Sequence, residues 1–194
     1  MLRILLIFIA LQMLTACSST PTEQPSIRYY LLEREPSSID GRLRGDLKRI
    51  QLASIGLPDY LSQSNLVMRE RDHGLRIANY HHWAGELGEA IQRALIVDLN
   101  QDVGAMVFDR YSKTGNQIKV DIEHFYPTAD GQVILSGRYA LLLDNQPEFY
   151  TPFHFAEVLA EDGYENSVKQ MRALLQNLSV HIKTQLTAQS GTSD

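Results

Sequence analysis

The sequence predicts an α/β fold built on a mixed, partly antiparallel sheet, and three patterns carry that reading. Strand-like alternation recurs along the chain, most plainly where Ile118, Val120 and Ile122 interleave with Lys119, Asp121 and Glu123. Two stretches, 86–101 and 164–186, repeat their apolar residues at helical spacing. The run Val133 to Leu143 is apolar on both faces at its two ends, as expected of a central strand covered on both sides, with helices as the expected cover.

The N-terminal stretch does not belong to that fold. Arg3 is followed by the apolar run Ile4 to Leu11 and then by Leu14-Thr15-Ala16-Cys17. A basic start, an apolar core of roughly 7 to 15 residues and a small-residue cleavage site make a secretory signal. Gln12 and Thr15 break the run well short of the ~20 residues that a membrane span requires. Leu14-Thr15-Ala16-Cys17 resembles a bacterial lipobox, which makes residues 1–16 a lipoprotein signal peptide and Cys17 the acylated first residue of the mature chain. Cys17 is also the sole cysteine, and acylation accounts for a lone thiol in an exported protein. Three acyl chains would hold the protein stably, since each buried methylene contributes about 0.8 kcal/mol. Ser18 follows the cysteine in place of the aspartate that commonly retains such lipoproteins at the inner membrane. The resemblance therefore implies the outer membrane, facing the periplasm.

Residues 17–26 form the lipidated start and a tether: no large apolar residue, two prolines, and a reach of roughly 30 Å at ~3.1 Å per residue. The folded domain is expected over 27–188, with a polar tail at 189–194. Arg28 to Leu32 is a first strand, rich in aromatic and aliphatic residues, and Pro36 to Gly45 is a polar connection. Leu47 to Ala53 alternates as a second strand.

Leu57-Pro58-Asp59-Tyr60-Leu61 then turns, because proline presets φ and aspartate can bond its own following backbone. The apolar members of this turn either plug the end of a core or form a partner-binding lip. Asn65 to Arg69 and Leu75 to Ala78 are short strands flanking the turn Asp72-His73-Gly74. His81 and His82, adjacent on an extended segment, point to opposite faces and do not readily chelate one metal. Trp83 precedes a helix and is expected to pack on the core.

The helix of 86–101 buries Leu87, Ala90, Ile91, Ala94 and Leu95, and Gly104 ends it. Met106 to Phe108 enters a strand. Ala129-Asp130-Gly131 reverses the chain into Val133 to Leu143, Asp144 to Pro147 turns again, and Phe149 to Val158 is the last strand, giving an antiparallel meander. The closing helix carries the inward stripe Val168, Met171, Leu175, Leu178 and Ile182.

Bulk composition narrows the function. Charged residues at 21% and hydrophobic ones at 44% are globular values, and a net charge of −5 without a basic block gives no footprint for nucleic acid. With one cysteine, no disulfide forms within the chain. No Gly-x-Ser-x-Gly, His-Glu-x-x-His, phosphate loop or dinucleotide fingerprint is present, and the six histidines are scattered. A non-enzymatic protein without cofactor or metal is expected.

Several motifs in order carry a family resemblance: Tyr29-Tyr30-Leu31-Leu32 after a lipobox, Leu57-Pro58-Asp59-Tyr60-Leu61, His82-Trp83-Ala84 before Leu87, Val133-Ile134-Leu135-Ser136-Gly137, and Asp162-Gly163-Tyr164 opening the last helix. Together they resemble the ABC-type transport auxiliary lipoproteins over nearly the whole mature chain. The chain departs at Gly85-Glu86, where relatives often carry an acid or serine followed by proline.

The resemblance implies a three-layer α/β/α domain, similar to the small N-terminal domain of the TolB translocation protein, of the anticodon-binding-domain type. It implies an outer-membrane subunit of an MCE-type intermembrane lipid transport system that docks the periplasmic conduit and supports membrane integrity. The partners would be a periplasmic MCE-domain protein, its inner-membrane permease and further copies of this chain in a homo-oligomer. Leu57, Pro58, Asp59, Tyr60, Leu61, His82 and Trp83 are the candidate partner-binding residues. The alternative functions are a periplasm-facing lipid carrier or chaperone, which needs an apolar cavity, and an outer-membrane assembly lipoprotein.

Overall fold

The computed structural model describes residues 26–32, 48–101, 106–113, 115–143 and 149–190. Cys17, the signal segment, most of the tether, the connection Pro36 to Gly45, Gly104, the turn Asp144 to Pro147 and the last residues of the tail lie outside them.

Among the described residues, eight strands and two long helices follow in the order β1 (Arg28–Tyr30), β2 (Lys48–Gly56), β3 (Asn65–Arg69), β4 (Leu75–Trp83), α1 (Leu87–Leu99), β5 (Met106–Asp109), β6 (Gln117–Pro127), β7 (Gln132–Leu142), β8 (Tyr150–Val158) and α2 (Tyr164–Ser190). They build a five-stranded sheet in the order β5-β2-β6-β7-β8 and a three-stranded sheet in the order β1-β4-β3. β6, β7 and β8 form the expected antiparallel meander. β2 runs parallel to both β5 and β6, and β1 runs parallel to β4, so the sheets are mixed. Gly131 makes the β6–β7 reversal at φ 78°, a left-handed position that glycine adopts without a Cβ clash.

The α/β class and the mixed sheet are as the sequence predicts. The layering differs. α1 packs on β2 and β5, α2 packs on β6, β7 and β8, and the helices also pack on each other, so both lie on one face of the large sheet. The helix-facing set is continuous: Ile50, Leu52, Ile118, Val120, Ile122, Phe125, Leu135, Tyr139 and Phe153 join the stripes of both helices in a single core. Among the described residues the outer face of the meander carries Asp121, Arg138 and His154 and no helix. On that face Ile134 is buried between Tyr126 and Ala156 of the neighbouring strands, which is why β7 reads as apolar on both sides.

Polar groups satisfy the irregular points. β2 slips register against β6 between Leu52 and Ile55, and the buried Gln92 of α1 donates to the carbonyls of Leu52 and Ala53 there, each at 2.9 Å. Asn100 ends α1 by exchanging two hydrogen bonds with the backbone of Phe108, at 2.8 and 3.0 Å, which ties the helix to β5. Lys183 donates to the carbonyls of Asp98 and Gln101, placing a cation at the negative end of α1.

Candidate functional site

The turn after β2 holds five of the candidate residues. Pro58 is extended at φ −67°, ψ 154°, and Asp59–Leu61 then makes one tight turn, closed by Leu61 N–H donating to Pro58 O at 2.9 Å. That turn sends Leu61 inward and Asp59 outward. Leu57 is half-buried against Gly88 at the start of α1.

Tyr60 crosses to the large sheet. Its hydroxyl donates to the Glu123 carbonyl at 2.5 Å and lies 3.1 Å from Nδ1 of His124, and its ring sits 6.3 Å from that of Tyr126. The carbonyl is available because β6 bulges: Ile122 pairs with Gly137 and His124 with Ser136, which leaves Glu123 unpaired. The single phenol proton goes to the carbonyl, so the Nδ1–H of His124 is the donor to the phenol oxygen. Burial, followed by the neighbouring Tyr126 and Glu123, pushes the phenol up to about 12. Tyr60 therefore stays protonated and keeps the turn pinned at any physiological pH.

His81 and His82 turn to opposite sides of β4. His81 accepts or donates to the Tyr30 hydroxyl at 2.8 Å through Nδ1 and stacks on Tyr164 with centroids 3.8 Å apart. Burial, then the charges of Arg28 and His82, hold it below the usual histidine value. His82 is half-buried beside Tyr29, with ring centroids 5.7 Å apart.

The structure corrects the partner-binding expectation at two positions. Leu61 and Trp83 are in the core, so their side chains plug its end and cannot reach a partner. Leu57, Pro58 and Tyr60 are half-buried and Asp59 is exposed, and these four form the rim of the turn. Cys17 lies outside the described residues. Among those residues no three His, Cys, Asp or Glu side chains gather as metal ligands, and no helix is long and apolar enough to cross a membrane.

Sequence reasoning did not single out the outer face of the small sheet, where Tyr29 and Leu31 stand exposed on the first strand. The signal was present in the alternation, with both parities of Ile27 to Leu32 rich in large apolar residues.

Comparison with known proteins yields a family match and likenesses to solved structures. A family model described as the ABC-type transport auxiliary lipoprotein component matches residues 30–183. No curated protein matches the chain in sequence. The crystal structure of an uncharacterized protein is similar with a TM-score of 0.73 at 23% identity, over 83% of this chain and 99% of that one. A Xanthomonas campestris protein of the DUF330 family is similar with a TM-score of 0.63 at 11% identity, over 88% of this chain and 98% of that one. At these identities the two likenesses speak for the fold alone.

Proposed function

Since this chain belongs to the ABC-type transport auxiliary lipoprotein family, we propose that it is the outer-membrane docking subunit of an MCE-type intermembrane lipid transport system. It is anchored through Cys17, faces the periplasm, and holds the end of the conduit formed by a periplasmic MCE-domain protein and its inner-membrane permease. It acts by binding and not by catalysis, as a homo-oligomer, in the paraquat-inducible branch that supports membrane integrity.

The observation that carries this reading is the pairing of a lipobox at Cys17 with a family match that spans the folded domain. The rim Leu57, Pro58, Asp59 and Tyr60 supports it as a contact surface. It is set rigidly by the Tyr60–Glu123 bond and leaves Asp59 projecting, so a partner meets a preformed turn and loses little entropy ordering it.

The test is affinity capture of the full lipidated chain from membranes, probed for the periplasmic MCE-domain protein. Asp59→Arg alters an exposed side chain and leaves the core intact. It should lower capture at least tenfold while the fold, read by far-UV circular dichroism, is unchanged. Equal capture by the variant removes the rim from the interface, and absence of any MCE-domain protein from the wild-type capture contradicts the docking role.

A further inference from the structure

The surface that follows the tether is apolar. Ile27, Tyr29 and Leu31 alternate at the start of the fold and are 56%, 67% and 63% exposed, while Tyr30 packs on the core and Leu32 is buried. The parallel register sets Tyr29 beside His82 of β4. On β4, Ile77 and Leu75 are 49% and 43% exposed and pair with Val67 and Arg69 of β3. Ala78 faces the core, so Ile77 and Leu75 point away from it, as Tyr29 does opposite Tyr30. The result is one outward apolar face across the small sheet.

Of the basic residues on these two strands only His82 shares the outward side with Tyr29; Arg28 and His81 pair on the side of Tyr30 and Trp83, and Arg76 alternates with Leu75 and Ile77. Arg76 is engaged by Glu70 at 2.6 Å.

We propose that this face rests on the bilayer that holds the acyl chains, with Tyr29, Leu31, Ile77 and Leu75 at headgroup depth. Two observations choose a membrane over other occupants. The face begins where the tether ends: Ser18 to Ser26 is nine residues, a reach of roughly 30 Å, so the anchor keeps the face beside the lipid at an effective concentration of about millimolar. Weak contact then suffices. Tyrosine with leucine and isoleucine suits a boundary that is wet on one side and apolar on the other. Docking of this kind would fix the orientation of the domain, which would otherwise swing on its tether. The inference rests on acylation of Cys17 and is independent of the conduit partner.

The experiment uses the full acylated chain, in which an introduced cysteine is the only free thiol. Leu31→Cys and, as a remote control on exposed α2 surface, Val180→Cys are labelled with a fluorophore in vesicles of phosphatidylethanolamine and phosphatidylglycerol containing a headgroup-region quencher lipid. Quenching at position 31 should exceed that at 180 at least threefold, and Tyr29→Ser with Ile77→Ser in the same chain should bring it down to the control. Equal quenching at 31 and 180, or quenching at 31 that the serine pair leaves unchanged, overturns the proposal. So does shielding of position 31 that follows protein concentration without lipid, which assigns the face to a second copy. Fatty-acid labelling of the same preparations separates the premises: an unlabelled Cys17 refutes the anchor itself, and a labelled Cys17 with equal quenching refutes the docking alone.

Discussion

Arg172 of α2 grips the buried carboxylate of Asp98 on α1 through both terminal nitrogens, each at 2.6 Å. The carboxylate is almost sealed, with Asp98 only 2% exposed, and the pair spans 74 residues of sequence to lock the two helices together on the sheet. A paired buried charge adds little beyond a good apolar pair, but a widowed one is costly. Asp98→Ala should therefore lose about 3–5 kcal/mol in urea denaturation, while Asp98→Leu combined with Arg172→Met should lie within ~1 kcal/mol of wild type if volume is preserved. Equal losses in the single and the double variant would show that packing and not charge dominates the site.

Gly137 sits in β7 opposite the bulge of β6. A Cβ there would strike the Asp121 carbonyl oxygen and lie 2.9 Å from the Ile122 Cα, and both are backbone atoms that cannot swing aside. Gly137→Ala should cost at least ~1–3 kcal/mol and loosen the β6–β7 pairing, seen as faster amide exchange at Ile122 and His124. Gly131→Ala strains only a turn and should leave those two amides protected.

Leu61 and Trp83 serve the core, and stability measurements distinguish that role from binding. Trp83→Ala should cost about 3–5 kcal/mol and Leu61→Ala about 2–5 kcal/mol. Asp59→Arg, at the exposed tip of the same turn, should change stability by no more than ~0.5 kcal/mol. A Trp83→Ala protein of wild-type stability would move this residue back to the surface.

His81 predicts a pH dependence. Its folded value is lowered, first by burial and then by Arg28 and His82, so the folded chain binds fewer protons than the unfolded one in the window just below pH 6.5. Its stability contribution is complete above that value and is lost as the pH falls through the folded-state value. The urea midpoint should decline between pH 7 and pH 5. His81→Phe, which keeps the ring on Tyr164, should flatten that decline, and an unaltered slope would assign the proton uptake to another group.

Much of this fold was legible in the chain because the relevant signals are local. The alternation of Ile118, Val120 and Ile122, the helical spacing of Leu87 to Leu99 and the Ala129-Asp130-Gly131 turn each report on neighbours a few residues away. Pairings made across long separations left no such mark: β2 beside β6, β1 beside β4, and Asp98 with Arg172. The layering was missed for a related reason. An amphipathic stripe states that one side of a helix is buried, but not which face of the sheet buries it, and Ile134 is covered by its own sheet neighbours. At the candidate site, Leu57-Pro58-Asp59 announced a turn through its backbone chemistry. Which of Tyr60 and Leu61 would face inward depended on the turn it made and on a bulge 63 residues downstream of Tyr60.

The central claim is that a lipid-anchored domain holds a conduit at the outer membrane. The most direct measurement is density-gradient separation of membranes after photocrosslinking from position 59 of the full chain in cells. The account predicts that the protein bands with the outer membrane, crosslinked to a periplasmic MCE-domain protein, and that Cys17→Ala releases it from that band. Banding with the inner membrane, or an outer-membrane band without an MCE crosslink, would contradict it.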